Sequence, residues 1–436
     1  MLKNKKGITL VALVITIVVL LILAGVSINL VLGDNGIVKK AQDTKTKSAE
    51  ASENDLKGMN GLVSEMEGAL AGNGGAGGSG TDTKVPAEAT AETAPYFPDN
   101  TFTKKEGTIE KGLVIQDTSG NEYVWVVVPK SLYNNTAYNS NNEKKPSSST
   151  DYANIEYCLQ QYTATYRNGT SYSDVYYADN DNVDWFADET AYNNLKNSML
   201  KSVYENGGFY VGRYEAGIAE NRTNNTDKNS ESKYITPSIA PVSKADAYPY
   251  THVTRTQAQN LASNVNSGTK TSSLMFGVQW DLVLAFMSKD TAKVTDTSIL
   301  TSNSTTIGNY RDSVFQLSQT GKYATMSGWS LSSTWNPATT ATESFVDSSR
   351  NKIAQSSDSD GILVTTGTSE KNKAMNIYDI AGNVYEWTLE KTSTTSLPCA
   401  IRGGDFSITG SGNPAANRSG SSTDLSGIIG FRVSLF

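Results

Sequence analysis

At 436 residues the chain has room for one large domain or two, and a net charge of −7 with a single histidine narrows what it can do. Lys and Arg (37) are outnumbered by Asp and Glu (44) and form no stripe beyond the first six residues, which argues against a nucleic-acid partner. Two cysteines, Cys158 and Cys399, allow one bridge at most, and abundant Tyr, Asn, Ser, Thr and Gly with only 19% charged residues is typical of exported surface proteins.

Lys3, Lys5 and Lys6 precede a run from Ile8 to Leu32 that is almost free of charge. About 20 apolar residues cross a bilayer, so this run is expected to span a membrane, with the lysines on the cytoplasmic side and the bulk of the chain outside. A cleaved signal peptide carries small residues after its apolar core, whereas Gly7 precedes this one. The stretch Lys5-Lys6-Gly7-Ile8-Thr9-Leu10-Val11 resembles the type IV prepilin leader. That resemblance implies cleavage by a prepilin peptidase between Gly7 and Ile8, methylation of Ile8, and pilus subunits as partners. Ala12 stands where major pilins carry a Glu, so a minor or accessory pilin, or a simple membrane anchor, is favoured over the main shaft. The expected layout is then a leader (1–7), a transmembrane helix (8–32), a solvated stalk helix (33–70) after the turn signal Gly33-Asp34-Asn35-Gly36, and a flexible linker (71–100).

Residues 101–436 read as one large domain without internal repeats. Gly120–Pro129 and Gly208–Ala216 combine turn residues with β-branched and aromatic runs, so both are expected as strands. The Asn-, Ser-, Tyr- and Asp-rich stretch between them, 130–200, reads as a long surface insertion. Helices are expected over Thr254–Val265, with Thr254 as N-cap, and over Trp280–Met287, while 290–370 looks loop-like.

Five segments then carry a second resemblance: Phe209-Tyr-Val-Gly-Arg-Tyr-Glu-Ala216, Thr254-Arg-Thr-Gln-Ala-Gln-Asn-Leu-Ala262, Leu274-Met-Phe-Gly-Val-Gln-Trp-Asp-Leu-Val283, Asp379-Ile-Ala-Gly-Asn-Val-Tyr-Glu-Trp387, and the pair Arg402-Gly-Gly404 with Gly430-Phe-Arg-Val433. In order and spacing they are similar to the formylglycine-generating-enzyme-like family. The resemblance implies a C-type-lectin-like core, and the expected class is α+β, with a long N-terminal membrane and stalk helix leading into a lectin-like domain with long loop insertions. Oxidising members of that family use paired cysteines between the Arg-Gly-Gly and Gly-Phe-Arg motifs. This chain has none between Gly404 and Gly430, and one histidine, His252, supplies no Ser-His-Asp triad, so no enzyme activity is expected. The family's calcium turn implies a Ca²⁺ site at the side chains of Asp379 and Glu386 and the carbonyls of Gly382 and Val384. The alternative is that Glu386 and Asn383 only hydrogen-bond the turn.

Between Asp405 and Gly430 there is no Lys, Glu, Gln, Met or Trp, where chain-wide usage of those five predicts roughly four. They are the residues that codons ending in a pyrimidine cannot encode. This filling, inside a fixed Arg-Gly-Gly to Gly-Phe-Arg frame, resembles the variable region of diversity-generating retroelement proteins. By that resemblance 402–432 is a variable region whose ligand-facing positions are Asp405, Ser407, Ile408, Thr409, Ser411, Ser419, Ser421, Ser422, Leu425, Ser426 and Ile428, while Phe406, Pro414, Arg418, Phe431 and Arg432 are frame. The expected function is a surface-displayed adhesin or receptor for an extracellular protein or glycan; the alternatives are a structural minor pilin and, less favoured, an oxidase.

Overall fold

The computed structural model describes Pro98 and residues 101–167, 173–177, 186–219, 239–265, 270–422 and 426–436. The leader with Gly7 and Ile8, the 8–32 span, the stalk and the linker apart from Pro98 lie outside the described residues, as does Leu425.

The strand Glu122–Val127 reads EYVWVV and is buried at every position, as expected of a β-branched and aromatic run with both faces covered. It lies inside a six-stranded antiparallel sheet ordered 103–106, 114–116, 122–127, 208–212, 433–435, 272–274. Trp125 pairs across from Tyr210 with ring centroids 4.8 Å apart, and a Cβ on the neighbouring Gly208 would sit 2.4 Å from the Val126 carbonyl. The C-terminal strand Val433–Leu435 fills a slot between strands 208–212 and 272–274. The chain end therefore closes this sheet.

A second sheet, ordered 418–421, 399–402, 385–391, 429–431, is antiparallel except that Ile429–Phe431 runs parallel to Tyr385–Lys391. Arg432 is the single residue between the strands Ile429–Phe431 and Val433–Leu435, so it stands where the chain leaves one sheet for the other. A third sheet pairs Lys322–Ser327 with Gly361–Val364.

The expected class needs correction. The described residues form a mostly β domain with few helices, and no described helix is long and apolar enough to cross a membrane. The periodic signal for a long helix came entirely from residues 8–70, which the structure does not describe. Within the domain, the helix Arg255–Ser263 forms as expected behind a capping box between Thr254 and Gln257. Helix Gly277–Met287 begins three residues earlier than expected and is buried all round, which is why its sequence shows no amphipathic stripe.

Two stretches read as loops are partly ordered into elements. The 130–200 insertion holds helices Tyr152–Tyr162 and Glu189–Asn206. The second is capped by the Asp188 carboxylate on the Ala191 amide (2.8 Å) and ended by Gly207 at φ 73°, and it buries only Tyr192, Met199, Leu200 and Val203. Its Asn-rich exposed face hid that stripe. In 290–370, strands Lys322–Ser327 and Gly361–Val364 are short runs that become strands only by pairing with each other across a long connection.

A buried ionic frame around the candidate binding segment

Three arginines hold the segment 402–432, and all are buried. Arg402 donates from Nη2 to Asp281 Oδ1 (2.8 Å), from Nη1 to Glu390 Oε2 (3.0 Å) and from Nε to the Asn417 carbonyl (3.0 Å). Arg418, directly opposite Arg402 in the ladder, donates from Nε to Glu390 Oε1 (3.0 Å) and from Nη2 to Asp281 Oδ2. Two guanidinium forks thus interlock with two carboxylates, a geometry that lysine cannot reproduce, and a third guanidinium, Arg167, stands 3.8 Å from Asp281 at the edge of the cluster. Asp281 comes from helix Gly277–Met287 and Glu390 from strand Tyr385–Lys391, so the cluster ties the segment to two separate elements. The helix adds a neutral tie: Trp280 Nε1 donates to the Ala415 carbonyl (3.0 Å).

Arg432 forms the other anchor, reaching Glu386 from Nε (3.1 Å) and Nη2 (2.7 Å) and the carbonyls of Gly212 (3.0 Å) and Tyr378 (2.9 Å). The glycines of the Arg-Gly-Gly motif have a separate cause. Gly403 and Gly404 lie at φ 89° and 80°, and a Cβ would stand 2.7 Å from the Ile380 carbonyl and 2.4 Å from the Asn413 carbonyl respectively.

Frame and filling separate by burial. Phe406, Pro414, Arg418, Phe431 and Arg432, the expected frame, are all buried. Of the expected ligand-facing residues, Ser411 is exposed and Ile408, Thr409, Ser419, Ser421, Ser422, Ser426 and Ile428 are partly exposed. Asp405 and Ser407 depart from the expectation, being 1% and 2% exposed. Asp405 Oδ1 turns inward to accept from the Ser407 amide (2.7 Å) and hydroxyl (2.6 Å) because Gly403-Gly404 curls the chain back over the core.

Asp405 Oδ2 is buried without a hydrogen-bond partner, and burial pushes this carboxyl up to about 6. Its pKa is raised on folding, so the native state binds this proton more tightly, and stability falls as pH rises from about 4 to about 6. Asp405→Asn is therefore expected to flatten urea-derived stability across that window and to raise it near pH 7 by about 1–3 kcal/mol. An unchanged pH profile in the variant would refute this.

The filling rests on fixed neighbours. Ile408 and Gly410 bond a ledge formed by residues 304–312, through Arg311 N to Ile408 O (2.9 Å), Gly410 N to Asp312 Oδ1 (3.1 Å) and Ser304 N to Gly410 O (2.9 Å). Asn413 Nδ2 reaches the Tyr385 hydroxyl, and Ser426 O accepts from the His252 amide (2.9 Å). Ile428 packs with Leu331 and Trp335 on a core of Met326, Leu363, Val384 and Phe406. Trp329 stands 66% exposed at a hairpin tip, at φ 65°. Sequence reading assigned no role to Asp281, Glu390 or Trp329. Asp281 and Glu390 are ordinary acidic residues until the fold brings them to Arg402, and a lone Trp carries no positional signal.

Of the side chains expected to hold calcium, Glu386 is engaged through both oxygens and Asp379 in part, since its Oδ1 is buried without a hydrogen-bond partner. Both Glu386 oxygens accept from Arg432, and Asp379 Oδ2 accepts from the Gly367 amide (2.8 Å). A cation at Glu386 would face a guanidinium at contact distance, so the arrangement does not fit Ca²⁺. Among the described residues no group of three or more His, Cys, Asp or Glu could hold a metal ion. Instead Glu215 accepts from Asn383 Nδ2 (2.6 Å) and the Val384 amide (3.3 Å), and burial drives its carboxyl well above the ordinary range. Glu215 thus holds the turn through Asn383 and Val384, while Glu386 pairs with Arg432.

Cys158 and Cys399 are both buried and unbridged; burial pushes the Cys158 thiol up to about 11, and Cys399 Sγ lies 2.8 Å from the Tyr177 hydroxyl. His252 is nearly buried and its Nδ1 lies 3.1 Å from the Thr251 hydroxyl.

No protein-family model matches the chain, and no curated protein is similar to it in sequence. Among solved structures the chain is similar to Treponema denticola variable protein 1, at 12% identity, covering 52% of this chain and 84% of that one with a TM-score of 0.26. The resemblance is loose. At that score it leaves the arrangement of this chain to be read from its own residues.

Proposed function

We propose that this chain is a ligand-binding variable protein, an adhesin or receptor displayed at the cell surface, without catalytic activity, whose segment 402–432 meets an extracellular protein or glycan. The observation that carries this reading is the split between frame and filling. Among the described residues, the positions singled out by codon-limited composition are exposed or partly exposed except Asp405 and Ser407, while the frame positions are buried and the two arginines among them, Arg418 and Arg432, are ion-paired. Small polar side chains on a rigid support suit adaptable recognition, as in antibody loops. Diversification by a retroelement is part of the proposal. Display rests on the apolar run 8–32 behind Gly7-Ile8, through which a prepilin peptidase and pilus subunits would act as partners.

Sequencing the DNA beside the gene tests the diversification. A near-identical template repeat, a reverse transcriptase gene and pyrimidine-ending codons at the ligand-facing positions are expected; mixed codon endings with no template would sink it. On the protein, Ser411→Tyr, Ser419→Tyr and Ser422→Asn are each expected to change stability by less than about 0.5 kcal/mol in urea unfolding. Losses above about 2 kcal/mol at these sites would mean the filling is structural.

A further inference from the structure

Beneath the segment lies Lys352, 1% exposed, whose ammonium is held by carbonyl groups. Its Nζ donates to the carbonyls of Tyr310 (2.7 Å), Arg311 (2.9 Å) and Ser313 (2.9 Å), one for each N–H of the charged form. Burial pulls Lys352 down to about 7, and only its protonated form supplies a donor for each of the three carbonyls, so this loop conformation and the proton support each other.

The same loop residues also hold the segment. The Tyr310 hydroxyl donates to the Gly403 carbonyl (2.7 Å), the Arg311 amide to the Ile408 carbonyl (2.9 Å), and the Asp312 carboxylate accepts from the Gly410 amide (3.1 Å). Three consecutive residues thus each fix one point of the chain between Gly403 and Gly410, and the carbonyls of two of them converge on one ammonium. None of these bonds depends on a side chain of the filling. The support can stay constant while Ile408 and Thr409 change.

We infer that Lys352 is a positioning residue for the candidate binding segment, gathering the loop Tyr310–Ser313 into the ledge on which Gly403–Gly410 is laid out. This rests on reading 402–432 as the binding segment. Neither the ionic frame nor the composition argument involves Lys352, so it is a separate determinant of the segment's shape.

Hydrogen exchange by mass spectrometry on the full chain tests it without any ligand. In Lys352→Met, which keeps length and removes the charge and donors, peptides covering 304–313 and 405–413 are expected to exchange at least tenfold faster. Peptides covering 122–127 and 208–212 in the six-stranded sheet should change less than twofold. A rise spread evenly over all four peptides, or none, overturns the inference. Should Lys352→Met not fold, Lys352→Gln, with two N–H donors, carries the same expectation; failure of both to fold would assign Lys352 to the stability of the whole domain and overturn it. Exchange reports support of the segment whether or not the segment binds anything, so a negative result here leaves the function proposal standing, and the codon test leaves this one standing.

Discussion

Replacing Glu390 by Ala is expected to destabilise the domain by about 3–5 kcal/mol, because it leaves two buried guanidiniums facing one carboxylate. Glu390 accepts from both Arg402 and Arg418, and Asp281 alone would have to balance them at 0% exposure. Urea unfolding of the variant against the parent measures the loss. The double variant Glu390→Met with Arg418→Met restores neutrality, leaving the Arg402–Asp281 pair, and is expected to recover at least half of it. That recovery separates an uncompensated charge from lost packing. A cost below about 1 kcal/mol for Glu390→Ala would mean that water reaches the cluster and that the frame is not set by charge.

Arg432→Met is expected to cost a similar amount, about 3–5 kcal/mol near neutral pH, and to do so with a pH dependence of its own. Arg432 is the cation among Glu386, Glu215 and Asp379, and it also satisfies the Gly212 carbonyl of the six-stranded sheet and the Tyr378 carbonyl. Asp379 is already pushed up to about 6, first by burial. Removing the guanidinium favours the protonated carboxyls of the native state further, so its proton uptake exceeds that of the unfolded chain over a wider range. Stability of the variant should therefore fall more steeply than that of the parent as pH rises from about 4 to about 7, and the difference between them should shrink in acid. Parallel stability curves would show that Arg432 acts through its carbonyl bonds alone.

Much of the segment's logic was legible before any fold was known. The Arg-Gly-Gly and Gly-Phe-Arg motifs marked its ends, and a filling without Lys, Glu, Gln, Met or Trp marked its extent. What the motif could not reveal was why each residue is there: Gly403 and Gly404 because of left-handed turns against the Ile380 and Asn413 carbonyls, Arg402 because Asp281 and Glu390 arrive from elsewhere. Asp405 and Ser407 were expected at the surface from the resemblance to a variable region, which gives no warning that a double-glycine turn will fold them inward. Calcium was expected at Glu386 from a motif, yet the arginine that occupies both its oxygens lies 46 residues further along the chain.

Sequence by itself determined the local facts: the capped helix at Arg255–Ser263, buried strands at Glu122–Val127 and Gly208–Gly212, and the restricted composition of 405–430. These follow from propensity, capping and codon chemistry, which act over a few residues. Only the tertiary structure decided the rest: that the domain is mostly β, that Lys352 meets three carbonyls, and that the last strand closes the large sheet while Arg432 pins it to the next. Buried charges have to find partners wherever the chain brings them, and that search runs over distances no local pattern records.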